Sequence, residues 1–388
     1  MQWIGACDRM ARLRARWFLV PGVALGISAL VVGVAGVRTR RAPVPVRPAS
    51  LAPPDRSAAP VPVPAVTARP APRPEPPDDP LPTTRDEQRS ALYRALGTEL
   101  DLSPAQVAAV RVIVEGSPLI GQGNPVISHH AMTPAQCRAV RAEAGEPPRD
   151  DPSIHPPCDR KTMVPLYDPG AGQSATDARV CIDQFEYPDI ACEYPVVFPT
   201  AREAALLCVA SGKRICDAHE WEGACAGALH PPEVEYAFGE PRPYATWLHN
   251  KHREIRWAYG PAKDHALCAT SAYKSPTCEG GGYESCGTHT WPSGSFPACV
   301  SPLGVYDLHG NAAEHMNLPL APDQLASRGG TGATEMKGSW FIFLREEPHE
   351  DDCRWRAKDW HPSDLMAEDS HRNYHLGFRC CKDAEAAP

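Results

Sequence analysis

The sequence contains no Cys-x-x-Cys pair, although 15 of its 388 residues are cysteine. That absence excludes the spacing of a zinc ribbon or a thioredoxin-like site. An excess of basic residues is also lacking, because the formal net charge is −8 and residues 85–388 alone carry −14 (28 Lys/Arg against 42 Asp/Glu). So acidic a region is a poor candidate for nucleic-acid binding, and we expect no nucleic-acid partner.

Apolar runs of membrane length are scarce, and the sequence has only one. Trp17–Val37 carries no charge across 21 residues, about the length that crosses the hydrocarbon layer of a bilayer. Four arginines precede this run, and by the positive-inside rule they keep the N-terminus cytoplasmic. We predict a membrane anchor, with the remainder in the periplasm or extracellular space; a cleaved signal peptide is the alternative.

The distribution of proline and cysteine indicates how the rest of the chain is organised. Between Ala42 and Pro82, 15 of 41 residues are proline, a composition typical of an extended spacer without a core. Fourteen cysteines follow the apolar run, and in an oxidising compartment they predict several disulfides. The predicted organisation is a cytoplasmic tip with the anchor or signal segment (1–41), a Pro-rich linker (42–84), a helical segment (85–160) and a main domain (161–388).

Local signals predict the secondary structure. Two or three short helices are expected between residues 85 and 145, because Ser103-Pro104 and Thr133-Pro134 each place an N-cap before a proline. In the main domain, helices are expected at Thr200–Ala210 and Asp217–Cys225. Strands are expected in the segments VCIDQFEY, YPVVFP, SWFIF and GFRCC. Short strands, long loops and many cysteines indicate a disulfide-braced α+β domain.

The stretch GVYDLHGNAAEHMN at residues 304–317 is dense in oxygen-bearing and backbone-bending residues. Calcium prefers six to eight hard oxygen ligands from carboxylates and from carbonyls at tight turns. Asp307, Asn311 and Glu314 supply side-chain oxygens, and Gly310 permits the chain to curl around an ion. A calcium loop is therefore predicted. The alternative is a tight turn in which Asp307 and Asn311 cap backbone amides.

Five segments occur together in an order that resembles the sulfatase-modifying-factor domain, the family of formylglycine-generating enzymes. They span about Arg179 to Lys382, and the most specific are GKRICDAHEWE and GVYDLHGNAAE. The others are VCIDQFEYPD, KGSW and HLGFRCC. The resemblance implies a loop-rich fold related to the C-type lectins, braced by disulfides and preceded here by short helices and the anchor.

The same resemblance implies particular ligands and chemistry. The matching loop of the family binds calcium through the side chains at Asp307 and Glu314 and the carbonyls at Gly310 and Ala312. Active members oxidise a cysteine of sulfatases to formylglycine with molecular oxygen and a copper ion held by two cysteines. Ser339 matches the serine of the family's Gly-Gly-Ser motif and is, with Cys353, a candidate catalytic residue.

This sequence departs from the family pattern at the copper ligands. Ile342 occupies the position of the first copper cysteine, and Cys353 only approximates the second. Because a single thiolate is a poor copper(I) site, we expect Cys353 to be half of a disulfide and copper to bind only if the chain is an active oxidase. Adjacent Cys380 and Cys381 should reach two separate partners, one of them Cys181.

Three functions are consistent with these features. The first is an exported, membrane-tethered member of the family without an intact copper centre, acting as a calcium-braced binding or structural module. The second is an active metal-dependent oxidoreductase that generates formylglycine or oxidises another substrate. The third is a lectin-like carbohydrate-binding module. The expected partners are the membrane, through Trp17–Val37, and an exported protein or glycan.

Overall fold

The structure is a computed structural model, and the part of the chain that it describes begins at Leu81. It describes residues 81–384 except 125, 129, 131, 147–156, 161, 274–288 and 359–362. These residues belong to one unit, Glu75–Pro388. Within them no helix is long and apolar enough to cross a bilayer. The predicted anchor Trp17–Val37 and the Pro-rich linker lie outside the described residues.

Three helices open the described region, as the capping signals predict. They are α1 (Arg85–Thr98), α2 (Pro104–Gly116) and α3 (Pro134–Glu143). The N-cap hydroxyls of Thr84, Ser103 and Thr133 each accept a hydrogen bond from the backbone N–H three residues later. In each helix the Glu or Gln at that third position bonds back to the cap, so every helix starts with a capping box.

These helices are attached to the main domain by apolar packing and by a covalent bond. Leu92 and Leu96 of α1 and Val110 and Val114 of α2 belong to one buried cluster with residues of the main domain. The disulfide Cys137–Cys192 ties α3 to the domain. The helical segment is therefore fixed on the domain surface.

The strands of the described region form three small sheets. The strands are β1 (Gly121–Gln122), β2 (Met163–Leu166), β3 (Val180–Asp183), β4 (Val196–Val197), β5 (Arg214–Ile215), β6 (Ala313–Leu318), β7 (Ala333–Lys337), β8 (Leu376–Phe378) and β9 (Cys380–Asp383). A four-stranded antiparallel sheet has the order β2-β3-β9-β5, and a three-stranded sheet has the order β7-β6-β8, in which β6 and β8 are parallel. A two-stranded pair joins β1 to β4.

Both helices predicted in the main domain are present, with their predicted first residues acting as N-caps. They are α4 (Ala201–Ala210) and α5 (Ala218–Ala226). Two further helices follow, α6 (Pro232–Glu235) and α7 (Arg242–His252). Every residue of α5 is buried. This helix therefore crosses the interior, and its side chains supply much of the site described below.

The strand predicted at SWFIF is wrong. Residues 339 and 340 are irregular and residues 341–345 form a turn, in which the N–H of Phe343 donates to the carbonyl of Trp340 at 2.9 Å. Gly338, at φ +74°, ends strand β7 immediately before it, and such a left-handed residue redirects the chain. The apolar side chains that indicated a strand are nevertheless buried, because the turn lies within the core.

Six disulfides pair every cysteine of the described region. Cys380 bonds Cys208 and Cys381 bonds Cys216, so the prediction of two separate partners is confirmed. The prediction that Cys181 is one of them is wrong. Cys181 lies opposite Lys382 in the sheet, so its side chain projects from the face opposite to that of Cys381. The remaining bonds are Cys137–Cys192, Cys158–Cys181, Cys225–Cys353 and Cys268–Cys299.

Candidate functional site around the loop 304–317

The loop before β6 is a tight, left-handed turn buried in the centre of the domain. Asp307, Gly310 and Asn311 have φ values of +56°, +77° and +55°. A Cβ at Gly310 would lie 2.6 Å from the carbonyl oxygen of Ala269. This position therefore requires glycine for two reasons, its backbone conformation and its close approach to another segment.

Glu314, a predicted calcium ligand, accepts hydrogen bonds from one cationic side chain, that of Arg379, and from one polar side chain, that of Trp221. Arg379 donates from Nε to Glu314 Oε2 at 2.7 Å and from Nη2 to Oε1 at 2.6 Å. The indole N–H of Trp221 on α5 donates to the same Oε2 at 2.9 Å. All three side chains are buried. Such a bidentate guanidinium–carboxylate pair is short, oriented and charge-assisted.

A second buried carboxylate, Glu186, was not identified as a site residue in the sequence. Its oxygens accept hydrogen bonds from the backbone N–H of Ala312 at 2.8 Å, from Asn311 Nδ2 at 2.6 Å and from Ser293 Oγ at 3.0 Å. Burial, and then the neighbouring charges of Asp307 and Glu314, raise the pKa of Glu186 well above its usual range. Glu186 therefore holds the loop mainly as a hydrogen-bond acceptor.

Asp307, the other predicted carboxylate ligand, also has a protein partner. Its Oδ2 accepts a hydrogen bond from the backbone N–H of Gly294 at 2.6 Å. Burial raises the pKa of Asp307 to about 6, although the hydrogen bond from Gly294 and the charge of Arg379 oppose the increase. This arrangement matches the alternative interpretation from the sequence, in which Asp307 caps a backbone amide.

Calcium binding by Asp307, Gly310, Ala312 and Glu314 stays a prediction, and the described contacts fit it poorly. Both oxygens of Glu314 already accept hydrogen bonds from Arg379. A calcium ion bound at Glu314 would have to displace the guanidinium or share its carboxylate with a second positive charge. The carbonyls of Gly310 and Ala312 alone are too few for six to eight ligands.

We expect calcium removal to change the thermal stability little. With excess EGTA, the unfolding midpoint should move by less than about 1 °C, because a ligand stabilises only what it binds. Differential scanning fluorimetry with and without added calcium measures this. A fall of about 5 °C or more that calcium reverses would show that the folded protein binds calcium and would contradict this expectation.

The two candidate catalytic residues both contact this loop, and neither is placed for copper chemistry. Ser339 is buried, and its Oγ accepts a hydrogen bond from the N–H of Gly310 at 3.0 Å. Cys353 is bonded to Cys225 of α5. Ile342, at the position of the missing cysteine, is buried in an apolar cluster with Phe341 and Phe343. The residues present do not fit a copper ion held by two thiolates.

His309 of the loop lies against the Cys225–Cys353 disulfide. Its Nε2 is 3.4 Å from Cys225 Sγ and 3.9 Å from Cys353 Sγ, and it accepts the N–H of Ala258 at 3.1 Å. Its Nδ1 is 3.5 Å from Oδ2 of Asp351. His309 is thus held by the hydrogen bond from Ala258 and by close contacts with Asp351 and the disulfide.

Asp351 connects His309 to a second buried imidazole. Its Oδ2 lies 3.1 Å from Nε2 of His265, and its Oδ1 accepts the indole N–H of Trp257 at 3.0 Å. Burial alone would raise the pKa of Asp351, but the imidazoles of His265 and His309 outweigh it and hold the pKa well below its usual range. No spacing signal in the sequence identifies Asp351, Cys225 or His265 as neighbours of the loop.

A buried charge network surrounds Glu222 of α5. The carboxylate of Glu222 accepts hydrogen bonds from Lys337 Nζ at 2.9 Å and from Arg356 at 2.8 and 2.9 Å. Burial would raise the pKa of Glu222, but the charges of Arg356 and Lys337 prevail and lower it strongly. Arg356 therefore stabilises the buried carboxylate of Glu222 within the fold.

Glu335 of β7, close to this network, should make stability depend on pH. Its Oε1 accepts the N–H of Ala357 at 2.7 Å, whereas Oε2 has no hydrogen bond among the described residues. Burial raises its pKa from 4.5 to about 7. The folded state therefore binds this proton more tightly than the unfolded state, and stability falls as pH rises between those two values.

The Glu335→Gln variant should remove that fall. We expect it to be close to the wild type at pH 5 and about 2–3 kcal/mol more stable at pH 8, because the amide carries no charge to desolvate. Urea unfolding at the two pH values measures the difference. The matched control is Glu368→Gln, whose side chain is 91% exposed. Equal gains at pH 5 and pH 8 would show that Glu335 is not the titrating group.

Comparisons with known proteins agree with the motifs of the loop and its partners. The sequence model of the family described as "Sulfatase-modifying factor enzyme 1-like domain" matches residues 170–384, more than half of the chain. No curated protein matches the chain. The matched region includes the loop, α5 and Arg379, which lies between β8 and β9. The chain belongs to the family of the sulfatase-modifying factor enzyme 1-like domain, with a mixed α+β fold of small sheets and several disulfides.

Proposed function

We propose that this chain is an exported, membrane-tethered member of the family that lacks the copper centre and acts as a binding or structural module. The proposal depends chiefly on one observation, the bond between Cys353 and Cys225. A sulfur in a disulfide is not a thiolate, and only thiolates are strong ligands for copper(I). No second thiol can replace it among the described residues, since all their cysteines are bridged.

The buried polar groups support a structural role for the loop. Arg379 neutralises Glu314, the N–H of Gly294 satisfies Asp307, and Ser339 accepts the N–H of Gly310. In an active oxidase we would expect some of these groups to be left for substrate or oxygen. Here their hydrogen bonds are internal, which fixes the loop in one conformation.

Export is supported by the disulfides. The bonds of the described region tie helices, loops and the last strand together across sequence separations of up to 172 residues. Such bonds persist in oxidising compartments and are rare in the cytosol. The tether itself, Trp17–Val37, is proposed from its sequence alone.

The test is a copper(I) titration of the natively folded, oxidised protein together with a peptide-oxidation assay. We expect no stoichiometric copper and no aldehyde formed in a cysteine-containing peptide. The control is Ile342→Cys, which adds a thiol at the family position and should not by itself restore oxidation, because Cys353 stays bridged. One bound copper per wild-type chain with aldehyde formation would instead establish the oxidoreductase.

A specific surface feature favours carbohydrate binding as a second candidate function. Tyr244 and Trp247 on α7 are 48% and 53% exposed, and their rings stack at 5.7 Å with an angle of 26°. The ammonium of Lys251 lies 4.9 Å from the centre of the Trp247 ring. Large exposed aromatic side chains are unusual on a monomeric surface and often mark binding sites.

Glycan-array binding tests this candidate. Trp247→Ala should abolish any binding, whereas Val234→Ala, at an apolar position that is 72% exposed, should leave it unchanged. Because neither residue belongs to a buried cluster, both variants should fold. Binding that survives Trp247→Ala, or no binding by the wild type, would exclude this platform as a sugar site.

A further inference from the structure

We propose that Cys225, Cys353 and His309 form a zinc(II) site when the disulfide between the two cysteines is reduced. The three side chains are buried where α5, the loop 304–317 and the segment after residue 350 meet. The proposed site is distinct from the predicted calcium ligands. It does not depend on the proposed function, which concerns the oxidised protein.

The spacing of the three ligand atoms is close to what zinc requires. With Zn–S about 2.3 Å and Zn–N about 2.05 Å in a tetrahedron, each sulfur should lie about 3.6 Å from the nitrogen. The observed distances from His309 Nε2 are 3.4 Å to Cys225 Sγ and 3.9 Å to Cys353 Sγ. Only the two sulfurs must separate, to about 3.8 Å in the same geometry.

The second nitrogen of His309 is oriented as in many zinc sites. Because Nε2 accepts the N–H of Ala258, the proton of the neutral ring lies on Nδ1, which is 3.5 Å from Asp351. Zinc-binding histidines usually direct their other nitrogen at a carboxylate in this way. Zinc would compete with the Ala258 N–H for the Nε2 lone pair, so we expect weaker binding than at a dedicated structural zinc site.

Two other clusters of potential ligands in the described region lack this arrangement. Cys216 and Cys381 lie beside Glu220, but both oxygens of Glu220 accept hydrogen bonds from Arg214, at 2.6 and 2.8 Å. Glu222, Glu235 and His249 form the third cluster, and the carboxylates there bind Arg354, Arg356 and Lys337. In both clusters a protein cation already neutralises the carboxylates.

The chemistry requires a reductant before the metal. A small dithiol such as dithiothreitol transfers two electrons and two protons to the disulfide, which becomes two thiols, while the dithiol becomes a cyclic disulfide. Zinc(II) then displaces the two thiol protons and binds both thiolates and His309, leaving one position for water. Two thiolates and one zinc(II) sum to zero charge, which suits a buried site.

The test is metal binding to the folded full chain under graded reduction, because complete reduction of the unfolded chain would break all the disulfides that hold the fold. The protein is treated anaerobically with rising concentrations of dithiothreitol, the dithiol is removed by desalting because it binds these metals itself, and cobalt(II) or zinc(II) is added. Alkylation and peptide mapping report which cysteine pairs are reduced. We expect one metal per folded chain in which Cys225 and Cys353 are reduced, with the visible bands of tetrahedral cobalt(II) and a sulfur-to-cobalt charge-transfer band. Cys225→Ser should lose the site, and the double variant Cys216→Ser/Cys381→Ser should keep it.

Two variants distinguish the proposed zinc ligand, His309, from Asp351, which is proposed only to orient it. His309→Ala should weaken binding at least about tenfold and alter the cobalt spectrum, whereas Asp351→Asn should weaken it about 10–100-fold with the spectrum unchanged. Circular dichroism confirms that each variant stays folded. An unchanged spectrum in His309→Ala, binding retained in Cys225→Ser, or no metal bound by the folded wild type, including the case in which Cys225–Cys353 cannot be reduced without unfolding, would overturn the assignment.

Discussion

Replacing Arg379 with methionine should destabilise the protein by about 3–5 kcal/mol, because it leaves a buried carboxylate without its cation. Arg379 is fully buried and makes two charge-assisted hydrogen bonds to Glu314. It also donates to the carbonyls of Asp183 and Tyr306 at 3.1 and 3.0 Å. The guanidinium thus connects β3, the loop 304–317 and β6. Urea unfolding of the purified variant measures the loss.

A surface arginine gives the matched control. Arg328 pairs with Asp383 at 3.2 Å, but its side chain is 72% exposed. Arg328→Met should therefore change stability by less than about 0.5 kcal/mol. Equal effects of the two substitutions would mean that the Arg379–Glu314 pair is screened by solvent and does not hold the loop.

A double variant distinguishes the effect of an unpaired buried charge from the effect of lost packing around Arg379. In Glu314→Gln/Arg379→Met, position 314 is neutral and can still accept the Trp221 N–H. The double variant should be more stable than Arg379→Met alone by more than about 1 kcal/mol, because no unpaired charge is left buried. A double variant that is less stable than Arg379→Met would contradict the charge explanation.

Removing both disulfides of strand β9 should destabilise the protein by more than the sum of the two single removals. Cys208–Cys380 and Cys216–Cys381 close loops of 172 and 165 residues that nearly coincide. When one bond is removed, the other still closes the chain at almost the same place. Each single pair of alanine substitutions should therefore cost about 2.5 kcal/mol in loop entropy, and both together about 6–7 kcal/mol.

The excess of about 1–2 kcal/mol over the sum is the diagnostic quantity. A matched combination removes Cys216–Cys381 together with Cys268–Cys299, whose 31-residue loop is closed independently. Those two losses should add. Unfolding in urea at low temperature measures all the variants, and simple additivity of the two terminal bonds would contradict the loop-closure explanation.

Local signals predicted the helices well and the strands less well. The Ser-Pro and Thr-Pro caps mark where α2 and α3 begin because capping is decided by residues within one turn. The SWFIF segment failed for the opposite reason. Its β-branched and aromatic residues suit a strand, but Gly338 turns the chain, and burial in the core, a tertiary property, accounts for the apolar side chains.

The candidate site was predictable only where one motif contains it. The turn at Asp307 and Gly310 follows from one short segment, residues 304–317. Glu186, by contrast, reaches Ala312 across 126 residues of sequence, and no period or spacing connects them. The pairing of Cys353 with Cys225 could not be predicted either, because cysteine connectivity cannot be deduced from spacing.

Alkylation of the natively purified protein with a thiol reagent, followed by mapping of the disulfide-linked peptides, tests the proposed lack of a copper centre most directly. We predict that Cys225 and Cys353 are recovered as one linked, unalkylated pair in essentially every molecule. Recovery of Cys353 as an alkylated thiol, with a second alkylated cysteine within copper-binding distance, would contradict the proposal and support the oxidoreductase function instead.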